Sequence, residues 1–161
     1  MAADKRAYPF SAFNFEIQIR KEGEAAPLCN AAFSECDGLE VSMDVKTIRQ
    51  GGDNQRQLRF AGAAAYAPLT LKRGMTQGFD LWRWFSQTIE DPGLRAEAEV
   101  ILFAADGTTE QVRFALSRCI PVKLKAPPLN AREGVVAIEE LQVAYETLAL
   151  KAPKPKQGAQ P

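Results

Sequence analysis

Apolar and polar residues alternate along much of this chain. In "SAFNFEIQIR" (residues 11–20), Phe13, Phe15, Ile17 and Ile19 fall on one side and Asn14, Glu16, Gln18 and Arg20 on the other. That period of two is the pattern of a half-buried strand. "KEGEAAP", with Gly23 and Pro27, breaks it, and a second extended run passes from Cys29 through Phe33 to Glu35. Asp37-Gly38 supplies a tight turn, since glycine takes positive φ at little cost. Beyond it, Leu39, Val41, Met43 and Val45 alternate with Glu40, Ser42, Asp44 and Lys46. This predicts a strand whose apolar side helps make the core while Glu40 and Asp44 face outward.

Residues 50–67, "QGGDNQRQLRFAGAAAYA", show no clear period and read as a long loop, of the kind that is usually functional or meets a partner. "PLTLKRG" is a short strand ending at Gly74. The spacing of Phe79, Trp82, Phe85 and Ile89 predicts a helix, with Thr76 as N-cap, Asp91-Pro92-Gly93 as the stop, and Trp84 off the apolar stripe. "RAEAEVILFA" and "EQVRFALSRCI" flank a hairpin turn at Asp106-Gly107. Pro127 and Pro128 make the next connection non-helical, and a last strand spans roughly 135–148. The total, about six to eight strands and one helix joined by short turns, predicts a mainly β protein. Its expected form is a small antiparallel β-barrel, or two packed sheets, with one flanking α-helix. Residues 8–150 form the domain, 1–7 a flexible lead, and the lysine- and proline-rich 151–161 a disordered tail.

The chemistry available to this chain is narrow. Among 161 residues there is no histidine, which removes His-based triads, His-ligated metals and the commonest general base. Cys29, Cys36 and Cys119 form an odd set without C-x-x-C spacing, so they read as reduced thiols rather than a disulfide framework or zinc site. Cys36 beside Asp37 makes a poor nucleophile, because an adjacent carboxylate raises a thiol pKa. Glu97 and Glu99 lie side by side on one strand face, whereas acid–base pairs face each other across a cleft. "GGDN" lacks the alternating oxygen ligands and closing glutamate of a calcium loop, and "GGDNQRQ" lacks the G-K-[ST] of a phosphate loop. The short basic runs "LKRG" and "VKLK" suit solvated or interface positions. No catalytic, cofactor-binding or metal residue is therefore expected. Twenty basic residues balance twenty acidic ones, so no overall field draws the chain to nucleic acid or anionic membrane. With no apolar leader in the N-terminal residues, a protein made and kept in the cytoplasm is the expectation.

Read in order, "YPFSAFNFEIQI", "FSECDGLEVSMDVKTIRQGGDN", "LTLKRGMTQGFDLWRWF", "RCIPVKLKAPPLNA" and "VVAIEELQVAYE" resemble the landmarks of the inner tube proteins of contractile phage tails and contractile injection systems. The resemblance runs from about Tyr8 to Leu150. The "RKEGEAAP" tip, the alanine-rich "FAGAAAYA" and the lysine-proline tail depart from the family pattern.

What the resemblance implies is a structural protein, not an enzyme, that assembles as hexameric rings stacked into a hollow rod. Its partners would be further copies of itself, the sheath, the baseplate and spike, and the tape-measure protein. The lumen cargo would be an effector protein or DNA. A six-fold ring needs two different surfaces on each subunit, and edge strands become pairing surfaces when the ring closes. Candidate interface residues are Gly51, Gly52, Asp53 and Asn54 in the long loop, with Lys72 and Arg73; Glu40 and Asp44 are candidates for lining the lumen. Within the same machine, a tube initiator near the baseplate is the alternative. Outside it, a small-molecule-binding barrel predicts an enclosed apolar pocket, and a redox-active thiol enzyme predicts a reactive Cys36.

Overall fold

The computed structural model describes residues 8–29, 32–52 and 54–155. In chain order its elements are β1 (Phe15–Lys21), β2 (Pro27–Cys29), β3 (Glu35–Asp37), β4 (Val41–Ile48), β5 (Leu58–Tyr66), β6 (Leu69–Gly74), α1 (Asp80–Glu90), β7 (Ala96–Phe103), β8 (Glu110–Lys125), β9 (Ile138–Ala144) and β10 (Thr147–Lys151). Every pairing among them is antiparallel. The mainly β expectation holds, with one helix.

Strand β8 organises the body because its two halves belong to different sheets. The first half lies between β7 and β10, in the order β2-β1-β7-β8-β10; the second half continues as β8-β9-β6-β3. The change of direction falls at Arg118, a non-glycine residue at φ 51°. Its guanidinium, half exposed, reaches Glu146 at 3.1 Å and Glu22 at 3.6 Å, which ties the bend to the β9–β10 corner and to the end of β1.

Between the sheets lies one core. Ile17 and Ile19 of β1, Ala96, Ala98 and Val100 of β7, and Leu116 and Cys119 of β8 pack with Leu69 and Leu71 of β6 and Leu141 and Val143 of β9. Helix α1 closes this core with Leu81 and Trp84, each 1% exposed. The far edges, β2 and β3, are three-residue strands that do not pair with each other, so the sheets pack without closing into a barrel.

Several expectations are corrected. The buried stripe of α1 is Leu81 and Trp84, whereas Phe79 is 50% and Ile89 68% exposed. The helix begins later than Thr76: Phe79, left-handed at φ 47°, is the N-cap without a side-chain cap bond, and Asp80 accepts from the Leu81 N–H at 3.0 Å. The segment read as a loop from 50 to 67 is half strand, since β5 pairs along all of β4. Its period was hidden by a bulge: Met43 pairs Ala64 but Val45 pairs Ala61, so two residues of β5 face one of β4. The last strand is two strands, β9 and β10, with Tyr145 and Glu146 at the corner. Lys151, placed in the tail, is the last residue of β10, and the Lys154 N–H donates to Glu110 at 3.1 Å. Residues 1–7 and 156–161 lie outside the described residues.

Candidate assembly surface

Strands β4 and β5 form a sheet of their own. All eight residues of β4 are exposed. Paired residues on antiparallel strands share a face, so the register assigns Val41, Met43 and Val45 to one side with Tyr66, Ala64 and Ala61. The other side carries Ser42, Asp44 and Lys46 near the base and Ile48 toward the tip, with Ala65, Phe60 and Leu58 opposite. Among the described residues nothing covers the apolar side: Val41, Met43 and Val45 are 58, 54 and 61% exposed. The expectation that this face joins the core is therefore wrong. An isolated two-stranded ribbon is at best marginally stable in water, and an exposed apolar face of this kind marks an interaction surface.

The body holds the ribbon firmly at its base. Gly38, at φ +97°, makes the turn that leads from β3 into the ribbon, and a Cβ there would overlap the carbonyl of Pro68. The Gly38 carbonyl accepts the Tyr145 hydroxyl at 3.1 Å, Tyr145 packs on Tyr66 at 5.7 Å between ring centroids, and the Ala67 N–H donates to Glu40. So Asp37-Gly38 is a turn, as its composition implies, but it joins body to ribbon and not two strands of one hairpin. At the bulge, Gly62 has no room for a side chain, since a Cβ would lie 2.6 Å from the Asp44 carbonyl oxygen.

The predicted site residues separate accordingly. Glu40 and Asp44 are exposed on the polar side of the ribbon, Glu40 at its base. Gly51, Gly52 and Asn54 sit at its exposed tip, with open space around both glycines; Asp53 lies outside the described residues. Lys72 is at the surface beside Glu35, 2.9 Å away. Arg73 is not available to a neighbour: it is 2% exposed and occupied within the subunit. Its Nε donates to Glu139 at 2.6 Å, its Nη atoms donate to both oxygens of Asp80, and its guanidinium stacks 5.7 Å from the Phe33 ring. Glu139 also accepts from the Trp82 indole N–H at 3.0 Å. This network binds β6, β9 and α1 together. A run of "LKRG" on a strand alternates in facing, so one basic residue of the pair had to point inward.

Reactive chemistry has no support in the side-chain environments. Burial pushes the thiols of Cys29 and Cys119 up to about 12, and burial together with the Asp37 charge pushes Cys36 up to about 11. At neutral pH all three stay protonated, hence poor nucleophiles. Glu99 is paired with the buried Arg113, as is Glu110. Among the described residues, no group of three or more acids or thiols gathers as a metal site. An open groove of about 600 Å³ runs beside β1, lined by Phe13, Phe15 and Phe103 together with Ile17, Cys29 and Phe33 at the margin of the core. The space between the sheets is filled by side chains such as Leu69, Leu71 and Trp84, in place of the enclosed pocket a small-molecule barrel needs.

An open two-sheet body carrying an apolar ribbon is a subunit made to be completed by other molecules. The sequence model of the T4-like virus tail tube protein gp19 matches residues 11–149, nearly all of the domain, and the chain belongs to that family. Solved structures share the fold. A chain of the anti-feeding prophage (AFP) baseplate superposes with a TM-score of 0.80 at 22% identity, over 91% of this chain and 97% of that one. A chain of the PVC extracellular contractile injection system sheath–tube complex gives 0.74 at 21% identity, over 90% and 93%. The AFP tube-terminating cap gives 0.76 at 19%, over 94% and 98%. No curated protein sequence matches the chain.

Proposed function

We propose that this chain is a structural inner tube subunit of a contractile phage tail-like injection system, assembling as hexameric rings stacked around a lumen. The observation that carries this reading is the ribbon: in a tail tube family member, Val41, Met43 and Val45 form an apolar face that no other described residue covers. Exposing such a face on every copy disfavours the free subunit and favours the assembled one. The polar side, with Glu40 and Asp44, is the candidate lumen lining, and Gly51, Gly52, Asn54 and Lys72 are candidates for contacts with a neighbour.

The tube acts mechanically: it is a stiff conduit that a contracting sheath drives through an envelope, with effector protein or DNA passing inside. Sheath, baseplate and tape-measure proteins are the implied partners. Nothing in this role asks a side chain for chemistry, in keeping with three thiols held protonated. Electron microscopy of the purified protein tests the reading. Rings or rods with a central channel are expected, and Val45→Glu, which charges the apolar side of the ribbon, should abolish them while leaving the subunit folded. A wild-type protein that stays monomeric at high concentration overturns the proposal.

A further inference from the structure

Two ladders meet at the foot of the ribbon without joining. Pairing of β3 with β6 ends at Asp37 and Thr70, and pairing of β4 with β5 begins at Val41 and Tyr66. Between these pairs, one backbone bond among the described residues spans the two legs, from the Ala67 N–H to the Glu40 carbonyl at 3.2 Å. A few residues at the ends of elements, outside the ladders, are where a hinge absorbs its change of angle.

The effect of a bend there grows with distance. Strand β4 has eight residues, which at about 3.3 Å each reach about 26 Å from the gap. A tilt of about 10° at the foot would carry the tip about 4–5 Å, more than the rise of one strand residue. An apolar strand face that has to meet another molecule in register needs its angle fixed beforehand.

We propose that the Tyr145 hydroxyl is the latch that fixes the angle of the ribbon to the body, which makes Tyr145 a positioning residue for assembly; the assembly part rests on the tube reading above. Three observations carry it. The first is that this side chain touches both legs of the ribbon. Its hydroxyl donates to the Gly38 carbonyl at 3.1 Å on the outgoing leg, the Glu40 backbone N–H interacts with the same oxygen, and its ring packs 5.7 Å from that of Tyr66 on the returning leg.

The second is that the other polar groups at the foot are spent within the legs themselves. The Gly38 N–H donates to Asp37 at 2.7 Å, and the Glu40 carbonyl is taken by Ala67. Among the described residues, Tyr145 alone hydrogen-bonds from the body into this connection. The third is that Tyr145 is itself held still. It is 8% exposed and packed in the core, at the β9–β10 corner where the Glu146 N–H donates to the Ser117 carbonyl at 3.0 Å and the Glu146 carboxylate meets Arg118 at the bend of β8. The ribbon is thereby referred to the place where the two sheets meet. Burial raises the hydroxyl's pKa above the ordinary tyrosine value, so near neutral pH it keeps the proton that it donates.

A tyrosine needed only for packing could be replaced by phenylalanine, so Tyr145→Phe separates the two roles. Spin labels at Gly51→Cys on the exposed tip and Ser86→Cys on the exposed side of α1 report the ribbon's angle in the dissociated full chain, with Cys36 replaced by alanine. Cys29 and Cys119 are buried and stay unlabelled. With the hydroxyl present, the distance between labels should form one narrow distribution. Tyr145→Phe should broaden it at least twofold and raise the protein concentration needed for rings or rods at least tenfold, with a cooperative melt lowered by only a few degrees. Tyr66→Phe, which leaves the Gly38 contact in place, should match the native chain in both measurements. An unchanged distribution in Tyr145→Phe would overturn the latch, and a broadened one with native assembly would overturn the positioning role. Loss of the cooperative melt would make the hydroxyl a core contact and overturn both. If the unsubstituted chain forms no rings or rods, the tube reading falls while the label distances still decide the latch.

Discussion

Replacing Arg73 by methionine keeps most of the aliphatic stem and removes the charge that joins β6, β9 and α1. The guanidinium is 2% exposed and is shared between Glu139, 1% exposed, and Asp80, whose side chain is 20% exposed. After the change Glu139 retains the Trp82 N–H but no cation. Removing one partner of a buried ion pair costs about 3–5 kcal/mol, because the carboxylate left behind remains out of water. The partial exposure of Asp80 draws the expected loss toward the lower end, about 3 kcal/mol. Against a total of about 5–15 kcal/mol for a domain, that is a large share. At about 2–4 °C per kcal/mol for a chain of this size, the melting point should fall by about 6–12 °C.

The effect also has a pH signature. In the native subunit, burial pushes the Asp80 carboxyl up, but its hydrogen bonds and charge contact with Arg73 outweigh this and hold it below the ordinary value. A group lowered in the folded state contributes fully above its unfolded pKa, about 4 for aspartate, and loses that contribution as pH falls through its folded value. Arg73→Met removes the chief cause of the lowering, so the variant has less of this stability to lose. The gap between native and variant should be widest above about pH 5 and narrow as pH drops below about 4. Urea unfolding from pH 7 to pH 3 measures it, at concentrations where light scattering detects no assembly. A loss under about 1 kcal/mol at pH 7, no more than a surface ion pair is worth, would refute the reasoning, and so would a gap that stays constant into acid.

Three further outcomes follow from the same geometry. Gly38→Ala forces a Cβ onto a backbone at φ +97° and against the Pro68 carbonyl, so it should cost about 1–3 kcal/mol in thermal or urea unfolding; a neutral effect would contradict the close approach. Trp84→Ala should cost about 3–5 kcal/mol while Ile89→Ala, at a 68% exposed position, stays within about 0.5 kcal/mol, which differential scanning calorimetry separates. With Cys36 raised to about 11, a thiol reagent should react slowly at neutral pH and about tenfold faster per pH unit toward that value, whereas Cys29 and Cys119 should react only after unfolding; rapid labelling at pH 7 would count against a protonated Cys36.

The parts of the fold legible in the sequence are those where period and burial belong to one molecule. Phe15, Ile17 and Ile19 read as a strand facing a core, and β1 is one. Asp106-Gly107 read as a hairpin turn, and there Gly107 takes φ +71° while Asp106 accepts the N–H groups of Thr108 and Thr109 at 2.9 Å. The helix was visible but its facing was not. Apolar residues occur on more than one side of "FDLWRWFSQTI", and the choice among them depends on where the first turn begins, which Phe79 decides by ending the preceding loop in a left-handed conformation. Strand β5 was missed because its alanines supply no contrast and its bulge interrupts what alternation remains.

The error on β4 has a different cause and bears directly on function. Alternation of Val41, Met43 and Val45 with Ser42, Asp44 and Lys46 does state that one side will be dry. It does not state which molecule will dry it. In a monomer, an apolar strand face predicts a facing element in the same chain, but among the described residues there is none, and the strand pairs with a ribbon partner rich in alanine, with Gly62 and Tyr66. The apolar side of β4 reads as interior because in an assembled tube it would be interior. Reactive groups could not have led to this site, since Cys36 and its acidic neighbours serve a turn and two edges. The signal was an amount of apolar strand face greater than one subunit can cover.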